Sequence, residues 1–180
     1  MGLNVVHIKE EGEEMDKVIE DTMAIIDMYP DIFPHMYKQG FKLVKRIKRG
    51  NLVLQDGVMI TFTQYTHGGK LSRNATTIKK TNDFIIHQIA SDQTQKGATK
   101  KVLDEFVEYC KSKKAGNILL TVRAFNERAR KFYERYGFKY DSDIEWNSKE
   151  TGIIPGIIYR LQLEKIKSEK FFSFSLYNSK

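Results

Sequence analysis

Apolar residues between positions 14 and 28 (EMDKVIEDTMAIIDM) recur at helical spacing, with Met15, Val18, Ile19, Thr22, Ile25 and Ile26 on one side. The pattern predicts a helix that stops before Pro30. The following stretch, YPDIFPHMYKQG (29–40), carries two prolines and several aromatics and reads as a loop or short helix. Phe41, Leu43, Val44 and Ile47 alternate with polar residues, which predicts a strand over 41–47. Apolar runs at 51–55 and 58–65 flank Asp56-Gly57, a pair that favours a two-residue hairpin turn. Residues 66–82, including His67-Gly68-Gly69, are polar and read as a long loop containing at most part of a strand. Loops of that length in compact domains are often functional.

The second half alternates more regularly. Residues 84–90 (FIIHQIA) form a short apolar run suited to a buried central strand. From Lys96 to Lys114 the period becomes helical, with Val102, Leu103, Phe106, Val107 and Cys110 in one stripe. Ala115-Gly116 closes that helix, and residues 117–122 (NILLTV) predict another buried strand. Asn126 is placed to cap a helix from Glu127 to Tyr136, ended by Gly137. Residues 138–144 and 157–164 predict two last strands. This order indicates a layered α/β (α+β) domain. With no repeat, low-complexity segment or linker, residues 1–180 are expected to form a single domain. The tail SEKFFSFSLYNSK is compatible with an extra strand, an oligomer contact or an unstructured end.

Composition narrows the function only slightly. The net charge of +7 favours anionic partners such as phosphate-rich cofactors, nucleic acid or acidic surfaces, and fits a solvated lysine-rich surface equally well. The densest basic cluster, Lys42, Lys45, Arg46, Lys48 and Arg49, is interrupted by apolar residues and is not a nucleic-acid arm. Cys110 is the one cysteine, so no internal disulfide can form. No apolar run approaches the roughly 18 residues of a membrane span, and the first residues lack a signal-peptide core. Gly2 is followed at position six by Val6, where N-myristoylation expects Ser or Thr. These features predict a cytoplasmic protein without a membrane partner.

The candidate chemistry starts at the strand–loop–helix unit 84–112. After the strand come SDQTQ and then Lys96-Gly97-Ala98-Thr99 at a helix start. Unpaired amides there, reinforced by the helix dipole, form an anion site suited to a pyrophosphate. Gly97 and Ala98 allow close backbone approach, Thr99 adds a hydroxyl, and Lys96 or Lys100 adds charge. The second unit is more specific. Asn126, Ala129, Tyr133, Gly137 and Phe138 fill N-x-x-A-x-x-x-Y-x-x-x-G-F, which places Asn126, Ala129 and Tyr133 on one helical face.

This pattern resembles the second signature of the GCN5-related N-acetyltransferase (GNAT) superfamily at every position. The family's phosphate signature, Q/R-x-x-G-x-G/A, is met at Gly97, while Thr94 and Thr99 depart from it. Gln93 and Gln95 flank the first position. The resemblance covers roughly residues 83–164. It implies a mixed, mostly antiparallel sheet splayed between its fourth and fifth strands, here 84–90 and 117–122. It also implies coenzyme A in that cleft, with its pantetheine arm on the backbone near Gln88, Ile89 and Ala90 and its phosphates at Thr94–Lys100 (Thr94, Gln95, Lys96, Gly97, Ala98, Thr99, Lys100). Asn126, Ala129 and Tyr133 would line the cofactor.

The implied reaction is transfer of an acetyl group from acetyl-CoA to a primary amine. Residues 1–82 would form the acceptor side, 83–164 the cofactor side and 165–180 a tail. Tyr133 stands at the family's general-acid position, and a phenol with pKa about 10 is a reasonable donor to a thiolate. For the base, Asp83 lies where one branch keeps a carboxylate. His87 has an apt unperturbed pKa and shares a strand face with Asp83 and Ile85. A water-mediated base is the third choice. Tyr29, Phe33, His35, Met36 and Tyr37 either line the acceptor pocket or pack the first helices on the sheet, and loop 66–82 is placed to cover it. Cys110 reads as core. No metal is implied, and a homodimer is left open. Two rival readings remain: a nucleic-acid-binding or nucleic-acid-modifying protein on the same fold, using the basic segments 42–49 and 70–80, and a coenzyme A-binding module without turnover.

Overall fold

Val53, Val58, Ile60 and Phe62 are buried on one side of a sheet, while Leu52, Met59 and Thr61 are buried on the other. Strand side chains alternate between faces, so a sheet buried this way must be covered twice. The computed structural model, which describes residues 2–33, 40–149 and 152–163, shows both covers. Its elements run β1 (Val5–Val6), α1 (Glu13–Ile26), α2 (Gly40–Arg49), β2 (Leu52–Gln55), β3 (Val58–Gln64), β4 (Gly69–Lys70), β5 (Ile78–Lys79), β6 (Phe84–Ser91), α3 (Ala98–Ser112), β7 (Asn117–Arg123), α4 (Glu127–Tyr136), β8 (Lys139–Ser148) and β9 (Gly152–Gln162). Seven strands form one sheet in the order β1-β2-β3-β6-β7-β9-β8, and β4 and β5 form a separate hairpin. Within the large sheet only β6 and β7 are parallel. None of the described helices is long and apolar enough to cross a membrane.

Helices α3 and α4 cover one face. Val102, Leu103, Phe106 and Cys110 of α3 pack there with Phe62, Phe84 and Ile86, and Tyr133 of α4 with Phe138 and Tyr159. Cys110 is fully buried and burial holds its thiol protonated, in keeping with a core role. The other face is covered by α1 and α2, through Met15, Leu43, Ile47, Leu52 and Val6 and through Ile25, Ile26, Met59 and Ala90.

The segment 41–47 is a correction: it lies in helix α2 and not in a strand. Leu43 and Ile47 are one helical turn apart and both are buried, while Lys42, Lys45, Lys48 and Arg49 are exposed. The alternation that suggested a strand is also met by an i, i+4 pair flanked by charges. The Asp56-Gly57 turn is as expected. Both residues have positive φ (51° and 73°), as a primed hairpin turn requires. A Cβ on Gly57 would sit 2.3 Å from Oδ1 of Asp92, so the position also has no room for a side chain.

The shape of the sheet centre follows from two local features. At one end, the Asp83 carboxylate is fully buried and accepts from the Lys80 amide (2.8 Å), the Asn117 amide (3.0 Å) and Asn117 Nδ2 (3.3 Å). It thereby ties the start of β6 to the start of β7. At the other end, β6 carries an extra residue against β3. The register passes from Phe62↔Ile86 to Thr61↔Gln88, leaving His87 as a bulge. Bulges bend the strand that carries them. Pairing of β6 with β7 covers only Phe84–Ile86, whereas pairing with β3 continues to Ser91. Strands β6 and β7 therefore form a V that opens beyond Ile86.

Residues 66–82 are more structured than a loop. They contain the β4–β5 hairpin, which docks on β8 and β9. Thr77 bonds Asp141 and Ser142, and Arg160 bonds both Asp141 (2.9 Å) and the Ile78 carbonyl (2.6 Å). His35, Met36, Tyr37 and the tail 165–180 lie outside the described residues.

Replacing Asp83 by Ala would leave the Lys80 amide and the buried Asn117 amide without their acceptor and cost about 2–4 kcal/mol of stability. Urea denaturation of both proteins measures it, and a change below about 0.5 kcal/mol would contradict the structural role.

Candidate active site

Three sets of groups lie around the V. The first is the start of α3. Gly97 adopts the left-handed conformation (φ 77°) and no side chain caps the helix. Among the described residues, the amides of Gln95, Lys96, Gly97, Thr99 and Lys100 have no acceptor, while the Ala98 and Lys101 amides bond back to Gln95 and Gly97. These free donors lie at the positive end of the α3 dipole. A Cβ on Gly97 would meet nothing within 4 Å, so its glycine is required by backbone conformation, and the space above it is open. The loop before it is braced from within. Asp92 Oδ1 accepts from the amide (2.9 Å) and hydroxyl (2.7 Å) of Thr94, and the Gln93 amide donates to Ser91 Oγ. Lys100 points down the helix to Asp104 (2.9 Å), whereas exposed Lys96 has no ion-pair partner among the described residues.

The second set belongs to α4. Asn126 Oδ1 accepts from the Ala129 amide (3.3 Å), so this side chain caps the helix. Ala129 is half-buried against the main core. Tyr133 is 7% exposed, wedged against Phe132, Phe138 and Tyr159 at ring-centroid distances of 5.6, 5.8 and 6.4 Å. Burial pushes its phenol well above the ordinary range. Its hydroxyl makes no hydrogen bond to any described residue, leaving it free for an incoming group. Tyr136 joins this helix to α3 through Asp104 (2.7 Å).

The third set lines the opposite face. The bulge changes which side chains of β6 share a side. Ile85 faces with Thr63, its ladder partner, His87 Nε2 lies 2.9 Å from Thr63 Oγ1, and Gln88 bonds Thr61. His87 and Gln88 thus stand beside Thr61 and Thr63 in a polar stripe beneath α1 and α2. Burial, assisted by the positive charge of Arg46, pushes the His87 pKa down to about 4. His87 is therefore neutral at pH 7. Just past the end of β3, burial pushes Tyr65 up to about 12. Asp83 does not face this stripe as a free carboxylate, since both its oxygens are occupied by the clamp.

Sequence alone singled out the α3 start, the Asn126–Phe138 unit and His87. It did not single out Thr61, Thr63 or Arg46. The period-two series Met59, Thr61, Thr63, Tyr65 was the available signal, because a buried strand face that turns polar must find partners. Of the aromatic segment, the described residues pack: Tyr29 donates to the Ser91 carbonyl (2.6 Å), accepts from Gln93 (2.7 Å) and meets Phe33 edge-on.

The model of the acetyltransferase (GNAT) family matches residues 49–138, which span β2 to the end of α4 and so hold both sides of the V. The chain belongs to the acetyltransferase (GNAT) family. Solved GNAT-like structures share the fold. A GNAT-family acetyltransferase from Listeria monocytogenes aligns over 87% of this chain and 93% of its own, with TM-score 0.61 at 13% identity. Arabidopsis thaliana NAA60, in complex with a bisubstrate analogue, aligns over 81% and 95% with TM-score 0.58 at 16% identity. Ard1 from Thermoplasma volcanium aligns over 82% and 94% with TM-score 0.55 at 15% identity. No curated protein matches the sequence.

His87 supplies a prediction with a defined sign. A histidine whose folded pKa lies near 4 binds fewer protons than its unfolded counterpart near 6.5. Stability is then fully present above about pH 6.5 and falls by about 1–3 kcal/mol as pH drops towards 4. Titration of the ring by NMR should give a midpoint near 4. Arg46→Met should raise that midpoint but leave it below about 6.5, because burial is the larger cause.

Proposed function

We propose that this protein transfers an acetyl group from acetyl-CoA to a primary amine by direct attack. The observation that carries this reading is the V: an unpaired strand edge at Gln88, Ile89 and Ala90, with free amides at the α3 start and the unpartnered Tyr133 hydroxyl nearby on the covered face. The chemistry of these groups fits coenzyme A. Amides at the positive end of a helix suit a pyrophosphate, so Thr94–Lys100 would hold the phosphates. A strand edge suits the amide-bearing arm. Asn126 and Ala129 would bound the cleft from α4, Asn126 mainly by fixing the helix start.

Acetyl-CoA supplies an acyl group activated as a thioester. Transfer forms a carbon–nitrogen bond, breaks a carbon–sulfur bond and releases the extra proton of the amine. A thiol has pKa about 8.5 and a phenol about 10, and burial moves Tyr133 further up. Tyr133 therefore stays protonated and gives a leaving sulfur a hydrogen bond that strengthens as charge develops there. His87, at about 4, is neutral but too weak a base to hold a proton against an amine. We assign that proton to water, with the His87–Thr63 pair orienting the nucleophile. Asp83 acts as a positioning residue through the β6–β7 clamp. In this reading α1, α2 and β3 bear the acceptor, and the chain from β6 onward bears the cofactor.

Isothermal titration of acetyl-CoA should show micromolar binding, abolished by Gly97→Glu. Gly97→Ala carries the same backbone strain, about 1–2 kcal/mol, without the charge, and should lose far less affinity. Tyr133→Phe should lower kcat by about tenfold or more with little change in acetyl-CoA affinity. Absence of binding by the native protein to acetyl-CoA and to longer acyl-CoAs would refute the proposal.

A further inference from the structure

The chain between β6 and α3 is fixed at its base and free at its tip. The Asp92 amide donates to the Gly57 carbonyl (2.8 Å), the Gln93 amide to Ser91 Oγ (2.9 Å) and the Thr94 amide to Asp92 Oδ1 (2.9 Å). Past Thr94, the amides of Gln95, Lys96 and Gly97 have no acceptor among the described residues. Two residues of this stretch are left-handed, Gln93 (φ 61°) and Gly97 (φ 77°). Glycine adopts that conformation without steric cost. Glutamine has a Cβ and lacks the short side chain with which Asn or Asp eases it, so Gln93 is strained. Strained backbone persists where its surroundings over-determine it. Among the described residues, the hold on Gln93 from outside this stretch comes from Tyr29. Its hydroxyl donates to the Ser91 carbonyl (2.6 Å) and accepts from Gln93 Nε2 (2.7 Å). One oxygen thus bonds both the chain before the left-handed turn and the residue in it.

Tyr29 is itself well anchored. Its amide donates to the Ile26 carbonyl (2.9 Å) at the end of α1, and its carbonyl accepts from the Ile32 and Phe33 amides (3.1 and 3.0 Å). Its ring packs against the cluster of Ile25, Ile26, Met59 and Ala90. A phenylalanine would fill the same space. What tyrosine adds is the oxygen, and both of its bonds go to the strained turn. We infer that Tyr29 is a positioning residue for the cofactor: it holds Gln93 left-handed and so fixes the course of the chain into the free amides of Gln95, Lys96 and Gly97, which would take the diphosphate. This rests on the acetyl-transfer reading above and adds to its cofactor side a residue from the first half of the chain. In this role Tyr29 touches neither the cofactor nor the reacting atoms. It acts through Gln93 on the phosphates and leaves the acyl arm alone. The effect of losing its oxygen is therefore confined to ligands that carry phosphate.

The test compares Tyr29→Phe with the native protein on three ligands: acetyl-CoA, the nucleotide half of coenzyme A alone, and acetyl-pantetheine, which carries no phosphate. Tyr29→Phe keeps the ring and removes one oxygen. Isothermal titration should show acetyl-CoA weakened about tenfold, with the nucleotide half losing affinity in step. Ligand-observed NMR should show acetyl-pantetheine changed by less than about twofold, a split that a general loss of packing would not produce. Gln93→Ala keeps the strain but loses the side-chain amide, and should weaken acetyl-CoA as Tyr29→Phe does. A second readout is the coupling between the two positions. Glycine takes the left-handed turn unaided, so on a Gln93→Gly background Tyr29→Phe should weaken acetyl-CoA by less than about twofold. Unchanged acetyl-CoA affinity in Tyr29→Phe, an equal loss for acetyl-pantetheine, or the same loss on both Gln93 backgrounds would each overturn the inference. Failure of the native protein to bind any acyl-CoA would instead overturn the proposed function.

Discussion

With its carboxylate accepting from the Lys80 amide and from both nitrogens of Asn117, Asp83 holds β6 against β7 at one end, while the extra residue His87 drives them apart at the other. Almost everything about the site depends on this pairing of a clamp and a bulge. Without the clamp, parallel strands with three paired positions would have little to fix their angle. Without the bulge, β6 would pair along its length with β7, and no edge would be free. The bulge also changes sides for the residues after it. It turns Gln88 to the same face as His87, next to Thr61 and Thr63, and sends Ile89 to the apolar face. A single inserted residue thus opens the cleft and equips one of its walls.

Charge is distributed around that cleft in an economical way. The buried titratable side chains on the two faces of the sheet, Tyr133 and His87, are both pushed towards their neutral forms by desolvation. Neutral groups can donate or accept hydrogen bonds without demanding a counter-ion in a poorly solvated space. The positive potential comes from two fixed sources: the free amides of α3 on one side of the sheet and Arg46 on the other.

Much of this was legible in the sequence, for reasons that differ by element. The stripe Val102–Cys110, the Asp56-Gly57 turn and the Asn126 to Gly137 helix are determined by local chemistry: a 3.6-residue period, two positive φ values and two caps. The segment 41–47 misled because four apolar residues in seven satisfy both periods, and only packing of Leu43 and Ile47 against Leu52 decides between them. That error also hid Arg46, which as part of a strand would have been one of several alternating surface charges. Asp83 was legible as a carboxylate at a strand start, but its job depends on Asn117, a partner supplied by the fold. The bulge at His87 leaves no mark in composition, because it is a property of register with β3.

The loop proposed to hold the phosphates shows how a departure from a motif can leave the backbone donors in place. Thr94 and Thr99 replace the residues expected by the resemblance, yet the donors at this helix start are backbone amides, which any side chain leaves in place. What the loop cannot exchange is the left-handed turn at Gly97. Thr94 even contributes, because its amide and hydroxyl both occupy Asp92 Oδ1. A carboxylate beside a phosphate site would repel the ligand if its lone pairs stood free. Here Asp92 is turned inward by Thr94 and lies over Gly57, the residue of the β2–β3 turn whose Cβ would collide with it. The hairpin turn, the acidic brace and the amide cluster are therefore one construction, in which a glycine at Gly57 keeps a negative charge in place and a glycine at Gly97 keeps the positive end of α3 open.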